Sequence, residues 1–143
     1  MNRRHAITLV ATGLTGCMTP IRIGGGYIDA HSHIWTDDIK HFPLREGVKT
    51  EDLKPLRFTP DNLIQLGLAE RVTRHVLISH GPYHGFNNDY YTHAASKHSG
   101  IFAVVGAMNP SLDRIPQRMH INRKLGITGY RIKPNNDSRW LQS

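Results

Sequence analysis

Residues 27–33 read YIDAHSH and directly follow three glycines at positions 24–26. Because glycines interrupt regular structure, this stretch is predicted to be a strand that begins after them. Side chains two residues apart on a strand face the same side. Asp29, His31 and His33 are therefore expected to project together, while the neighbouring apolar side chains face the helices.

Helix and strand signals alternate along the rest of the chain, after a long loop over residues 35–58. A threonine, a proline and an acidic residue are typical of a helix start, and short apolar runs bounded by glycine or proline are typical of buried strands. The predicted helices begin at Thr59, Asn88 and Asp113, and the further strands are predicted at residues 75–79, 101–107 and 127–133.

The resulting order, βαβαβαβ, predicts an α/β fold with a parallel sheet, because parallel strands are joined by right-handed helical crossovers. In such sheets, open or closed into a barrel, ligands bind at the carboxyl ends of the strands. This rule selects His31, His33, His80 and Arg131 as candidate site residues.

The pair His31 and His33 has the spacing of a metal-chelating unit on β structure, because both imidazoles can direct a nitrogen at one ion. Taken alone, the pair favours the alternative of two hydrogen-bonded histidines at a strand end. A catalytic zinc site needs a third protein ligand and carboxylates that orient the imidazoles. Asp29 lies on the predicted face for that orienting role.

Several motifs resemble, in order, the amidohydrolase-related branch of the metal-dependent hydrolase superfamily. They extend from about residue 27 to the end of the chain. The matching motifs are IDAHSHIW at 28–35, FTPDNL at 58–63, HVLISHGPYHGFNNDYY at 75–91, FAVVGAMNP at 102–110 and GYRIKP at 129–134.

This resemblance implies a (β/α)8 barrel of the TIM type, from a family of lactonases, other hydrolases and some decarboxylases. It implies that His31 and His33 ligate a divalent metal, usually zinc. It also implies that residues 81–85, with His84, line the mouth of the barrel. The glycines and the proline of this loop are expected to prevent a helical pairing of His80 with His84. Both histidines are candidate substrate contacts, with a plain surface loop as the alternative.

Arg131 is a further candidate for substrate binding, because a guanidinium can form a two-point contact with a carboxylate or a lactone oxygen. A structural ion pair is the alternative. Trp35 and Tyr83 are expected to form apolar walls or to anchor loops. The remaining histidines have no motif around them and are expected to have solvent or packing roles.

The composition narrows the class of protein. With 143 residues the chain has room for one domain, and its single cysteine excludes a disulfide within the chain. Although 18 Lys and Arg residues exceed 11 Asp and Glu residues, the basic residues are scattered, and no nucleic-acid-binding pattern is present. A small-molecule substrate is the expected partner.

Residues 1–16 are predicted to be an export signal, with Arg3 and Arg4 before an apolar segment. The arginine pair resembles a twin-arginine signal, and the sequence ending at Cys17 resembles a bacterial lipobox, which implies lipidation of Cys17. Residues 17–26 would then be a linker. The expected location is the periplasm or a membrane to which Cys17 is anchored, or the cytoplasm if the signal is not processed.

Residues 27–143 supply four of the eight strands that a barrel needs, so we expect an incomplete barrel corresponding to the N-terminal half of an amidohydrolase-related domain. Exposed sheet edges and apolar surface should follow. The expected activity is metal-dependent hydrolysis of a small carboxylated or sugar-like ester or lactone, with no catalytic acid or base assigned in this chain. The alternatives are an inert fragment or weak metal- or ligand-binding half-barrel, and a decarboxylase on the same scaffold.

Overall fold

The computed structural model describes residues 25–132. The predicted signal at residues 1–16, the lipidation of Cys17 and most of the linker lie outside the described residues. The strands are β1 (Tyr27–Ser32), β2 (Val72–Ile78), β3 (Phe102–Gly106) and β4 (Ile127–Tyr130). The helices are α1 (Pro60–Ala69), α2 (Gly81–His84), α3 (Asp89–Lys97) and α4 (Ile115–Lys124), with a short 3-10 turn at Thr50–Asp52.

The four strands form one sheet in the order β1-β2-β3-β4, and each neighbouring pair is parallel. Helices alternate with the strands, so this four-stranded sheet is a partial α/β barrel. The predicted fold class is thereby confirmed. All four strands end at the same edge, and the candidate residues follow or end them there.

Local sequence explains where α1 begins. The Thr59 hydroxyl accepts a hydrogen bond from the Asn62 backbone N–H at 3.3 Å, and the Asn62 side chain accepts one from the Thr59 N–H at 3.0 Å. Pro60 occupies the first helical position, where no backbone donor is needed. Leu63 and Gly67 form the buried side of this helix, as their four-residue spacing predicts.

Some boundaries differ from the sequence-based prediction. Strand β1 ends at Ser32, one residue before His33, and β2 begins at Val72 rather than at residue 75. Helix α4 is not capped by Asp113. Its N-cap residue is Arg114 in the left-handed conformation, with φ of 58°, which prevents the helix from starting earlier.

The core lies between the sheet and its helices. Its members are Ile34, Leu63, Leu77, Tyr90, Tyr91, Ala94, Val104 and Ile127. At the sheet edges, β1 and β4 each pair with one strand in the described part of the chain. Tyr27 and Ile28 on β1, Ile121 on α4 and Leu125 directly after α4 are more than half exposed, as expected of an incomplete barrel. None of the helices within residues 25–132 has the length and apolar character of a membrane span.

Candidate functional site

The imidazole rings of His31 and His33 lie in contact with each other. Their Nε2 atoms are 3.3 Å apart, and the ring planes are perpendicular. The other ring nitrogen of His33, Nδ1, lies 2.7 Å from the Ile78 carbonyl oxygen. Because a carbonyl oxygen can only accept, Nδ1 carries the proton, and the Nε2 lone pair of His33 is available toward His31.

This separation fits two ligands of one zinc ion. With Zn–N bonds of about 2.0–2.1 Å, two ligands of a tetrahedral ion lie about 3.3–3.4 Å apart. The carbonyl behind His33 is the kind of partner that holds a ligating imidazole in place. Among residues 25–132, however, no group of three His, Cys, Asp or Glu side chains is arranged to hold a metal. The described residues therefore bring two imidazole nitrogens together, without a third potential ligand of these types beside them.

His33 is half-buried behind the exposed His31. Burial lowers the pKa of the His33 imidazole below its usual value, the hydrogen bond to Ile78 opposes this, and the nearby charges of His31 and Arg131 lower it further. The net effect favours the neutral ring, which is the form that can donate a lone pair.

Aromatic side chains form a wall beside the pair. The ring of His80, directly after β2, lies 4.7 Å from the ring of His33, measured between centroids. Trp35 stacks on His80 at 5.9 Å, and Tyr83 contacts His80 at 4.5 Å. The predicted site residue His80 thus contacts His33, and the predicted wall residues Trp35 and Tyr83 contact His80.

Several hydrogen bonds join the long loop after β1 to this wall. Trp35 and Phe58 form an isolated antiparallel bridge with two backbone hydrogen bonds of 3.0 Å. The Trp35 indole N–H donates to the Pro55 carbonyl oxygen at 2.7 Å. The Tyr83 carbonyl oxygen accepts from the Arg45 backbone N–H at 2.8 Å. These contacts hold the wall in place. Because they join segments that are distant in the chain, no local sequence pattern predicts them.

His84 has different neighbours from His80. Residues Gly81–His84 form a single helical turn, so the expectation that glycine and proline prevent a helix here is wrong. Pro82 lies in the first turn, where its missing N–H removes no hydrogen bond. The His84 ring is buried against Tyr90 and Tyr91, and its Nδ1 lies 3.5 Å from the Pro43 carbonyl oxygen. A direct substrate contact by His84 stays a prediction.

Arg131 directly follows β4 and is exposed, with its backbone N–H donating to the Gly106 carbonyl oxygen at 2.9 Å. Its positive charge lowers the pKa of the His33 ring, with a smaller effect than burial. The structure places Arg131 at the carboxyl edge of the sheet, as the sequence predicted. Its contact with a substrate stays a prediction.

The carboxylate of Asp29 is turned toward the main chain and toward β2. It accepts from the His31 backbone N–H at 2.9 Å and from the Ser32 hydroxyl at 2.5 Å, and it lies 3.8 Å from Nδ1 of His75. Hydrogen bonds from Ser32 and His31 lower the pKa of this carboxyl group. The sequence predicts that Asp29 projects with the two imidazoles, but its carboxylate contacts the main chain, Ser32 and His75. A register shift in β1 between Asp29 and Ser32 makes these contacts possible. Sequence reasoning missed Ser32 and His75 as its partners.

The parallel sheet with helical crossovers and with polar groups at the carboxyl ends of its strands defines an α/β barrel-type architecture. The structure is similar to the crystal structure of a probable 2-pyrone-4,6-dicarboxylic acid hydrolase from Acinetobacter baumannii with bound citric acid. The TM-score is 0.61 at 16% sequence identity, and the match covers 80% of this chain and 43% of that one. No protein-family model and no curated protein sequence matches this chain.

Proposed function

We propose that this chain carries part of the active site of a metal-dependent hydrolase that cleaves a small carboxylated or sugar-like ester or lactone. The observation that carries the proposal is the 3.3 Å separation of the His31 and His33 Nε2 atoms, together with the fixed proton on Nδ1 of His33. The fold is similar to that of a probable 2-pyrone-4,6-dicarboxylic acid hydrolase, and this similarity supports a hydrolase.

His31 and His33 would hold a divalent ion, with zinc the expected one. Such an ion supplies Lewis acidity for a carbonyl group and lowers the pKa of water. The hydrogen bond from Nδ1 of His33 to the Ile78 carbonyl oxygen leaves the lone pair of the His33 Nε2 atom available to such an ion. Any further protein ligand and the group that moves protons are not assigned among residues 25–132.

The surrounding side chains would bind and orient the substrate. Arg131 would bind a carboxylate or a lactone oxygen through two parallel N–H donors. His80 would contact the substrate, and Trp35 and Tyr83, which both contact His80, would form an apolar wall that excludes water from one side of the substrate. A substrate with a flat ring and an acidic group fits this combination best.

The test is zinc binding by the wild type and by His31→Ala, His33→Ala and His120→Ala. His120 is exposed on α4, so its replacement is a matched control for the loss of one imidazole. We expect affinity to fall roughly 10-fold or more for the first two variants, since loss of an outer hydrogen-bond partner alone costs about 10–100-fold. The control should retain wild-type affinity. Equal zinc affinity in all four proteins would contradict the metal site.

Hydrolysis is measured separately, with zinc-loaded protein and a panel of carboxylated lactones, sugar lactones and simple esters. We expect turnover of at least one carboxylated or sugar-like member, which His31→Ala abolishes and His120→Ala does not affect. The two-donor site favours a second candidate function, weak metal or ligand binding by a half-barrel. Zinc binding without hydrolysis of any member of the panel would support that second function and overturn the hydrolase proposal.

A further inference from the structure

Strand β1 contains an irregularity at the histidine motif. Asp29 pairs with His75, and Ser32 pairs with Leu77, so three steps along β1 correspond to two steps along β2. Such a bulge places one extra residue in the strand and changes the direction of its side chains. His31 lies inside this bulge. The same irregularity lets Asp29 and Ser32, three residues apart, reach the same neighbour.

One carboxylate oxygen of Asp29 binds the main chain within the bulge. Its Oδ1 accepts a hydrogen bond from the His31 backbone N–H at 2.9 Å. Backbone donors in a bulge lose regular ladder partners and need others. The carboxylate supplies such a partner, and it fixes the peptide group that carries the His31 ring.

The other carboxylate oxygen joins a chain of hydrogen bonds that leads into the sheet. The Ser32 hydroxyl donates its single proton to Oδ2 of Asp29. Its oxygen therefore accepts from Nδ1 of His75, which lies 3.4 Å away. Nδ1 of His75 is also 3.8 Å from Oδ2 of Asp29. This arrangement fixes the proton of His75 on Nδ1.

His75 is itself held on several sides. Its side chain is 2% exposed, and its backbone N–H donates to the Ile101 carbonyl oxygen at 2.9 Å. The ring lies so close to α1 that a Cβ at Gly67 would come within 2.7 Å of Cε1 and 2.8 Å of Nε2. Only glycine leaves room for the ring at this point of the helix. The position of His75 is thus determined by packing between β2 and α1.

We propose that Asp29, Ser32 and His75 form a bulge clamp that fixes the main chain at His31 and thereby sets the distance between the two imidazoles. Asp29 is a positioning residue here, since its contacts go to the main chain and to Ser32 and His75. The clamp consists of contacts among the chain's own residues, so its existence does not depend on a bound metal. Its effect on zinc binding rests on the proposed function.

The first measurement is independent of metal. We compare amide hydrogen exchange at His31 in the wild type, Asp29→Ala, Asp29→Asn and Asp38→Ala, with the amide of the buried residue Val104 as an internal reference. Asp38 is a matched control, because this exposed carboxylate also binds a nearby histidine, His41, at 2.8 Å. Exchange at His31 should become at least about 10-fold faster in Asp29→Ala, because the amide loses its acceptor. Exchange at Val104 should change less than about twofold in any variant.

Asp29→Asn keeps an oxygen that can accept from the His31 N–H, so it should restore most of the protection. Ser32→Ala removes the link to His75 without deleting the carboxylate, and it serves as a second variant should Asp29→Ala not fold. It should give a smaller acceleration at His31. Unchanged exchange at His31 in both Asp29→Ala and Ser32→Ala would overturn the clamp.

The second measurement is zinc affinity of the same proteins. Asp29→Ala should bind zinc roughly 10–100-fold more weakly, and Asp29→Asn and Asp38→Ala should bind close to the wild-type value. Faster exchange at His31 with unchanged zinc affinity would overturn the positioning effect. A wild type that binds no zinc would overturn the proposed function, and the exchange data would still decide whether the clamp exists.

Discussion

His84 is an ionisable side chain that the fold removes almost completely from water, with 3% of its surface exposed. Burial lowers the pKa of its imidazole, and the contact with the Pro43 carbonyl opposes this only in part. Burial also lowers the pKa of His33 and of His75. In each case the native state disfavours the protonated ring relative to the unfolded chain, where the pKa is about 6.5.

The sign of the pH dependence follows directly. Above about pH 6.5 these rings are neutral in both states, and their contribution to stability is fully present. As the pH falls toward their lowered folded-state pKa values, the unfolded chain takes up protons first, so the free energy of unfolding decreases. Each proton of difference contributes about 1.4 kcal/mol per pH unit.

We expect the free energy of unfolding of His84→Gln to fall less steeply on acidification than that of the wild type. The difference in slope should be up to about 1.4 kcal/mol per pH unit, which corresponds to one proton. The measurement is urea unfolding at several pH values between 7.5 and 5. His120→Gln, at an exposed position, should keep the wild-type pH dependence. An unfolding free energy that falls equally steeply in His84→Gln and in the wild type would contradict the assignment to His84.

At the scale of the elements, α1 shows how a short sequence signal fixes one end of a helix. The reciprocal hydrogen bonds between Thr59 and Asn62 satisfy backbone donors that the first turn leaves without partners. This helix supplies the surface against which His75 packs at Gly67. Its start therefore contributes to the support of β2, whose His75 contacts Ser32 at the end of β1.

We expect Thr59→Ala to lower the free energy of unfolding by about 1 kcal/mol, since loss of an N-cap side chain typically costs ~0.5–2 kcal/mol. Thr92→Ala is the matched control. The Thr92 hydroxyl donates to the Asp89 carbonyl oxygen within α3, and alanine suits such a helical position. Chemical unfolding of the two variants should differ accordingly. A destabilisation by Thr92→Ala as large as that by Thr59→Ala would argue against the cap.

The elements that sequence predicted well are those that depend on neighbouring residues. The strands, the order βαβαβαβ and the cap at Thr59 follow from local patterns, and so does the adjacency of His31 and His33. The contact between Ser32 and His75 could not be predicted in this way, because the two residues are 43 residues apart in the chain. The same holds for the burial of His84 against Pro43, which is 41 residues away. Such contacts depend on how whole segments pack, and local propensity carries no record of them.

At the scale of the whole molecule, a groove lined by both apolar and polar side chains lies between α3 and α4. Leu112, Ile121 and Leu125 line it, and they are 41%, 57% and 59% exposed. Neighbouring exposed apolar side chains lose contact with water when two molecules meet through them, which favours association. The formal net charge of the full chain, +7, acts in the opposite direction, because like-charged molecules repel.

These two effects predict self-association that increases with salt. At 0.1 M ionic strength the Debye length is about 10 Å, so repulsion between molecules is screened while the attraction between apolar surfaces remains. We expect the weight-average mass in sedimentation experiments to rise with protein concentration and with salt. The double variant Ile121→Gln, Leu125→Gln should stay close to the monomer mass, whereas Ile39→Gln, at a 45% exposed loop position, should behave as the wild type. Association that weakens as salt is added would instead indicate contacts between opposite charges and would contradict the role assigned to the groove.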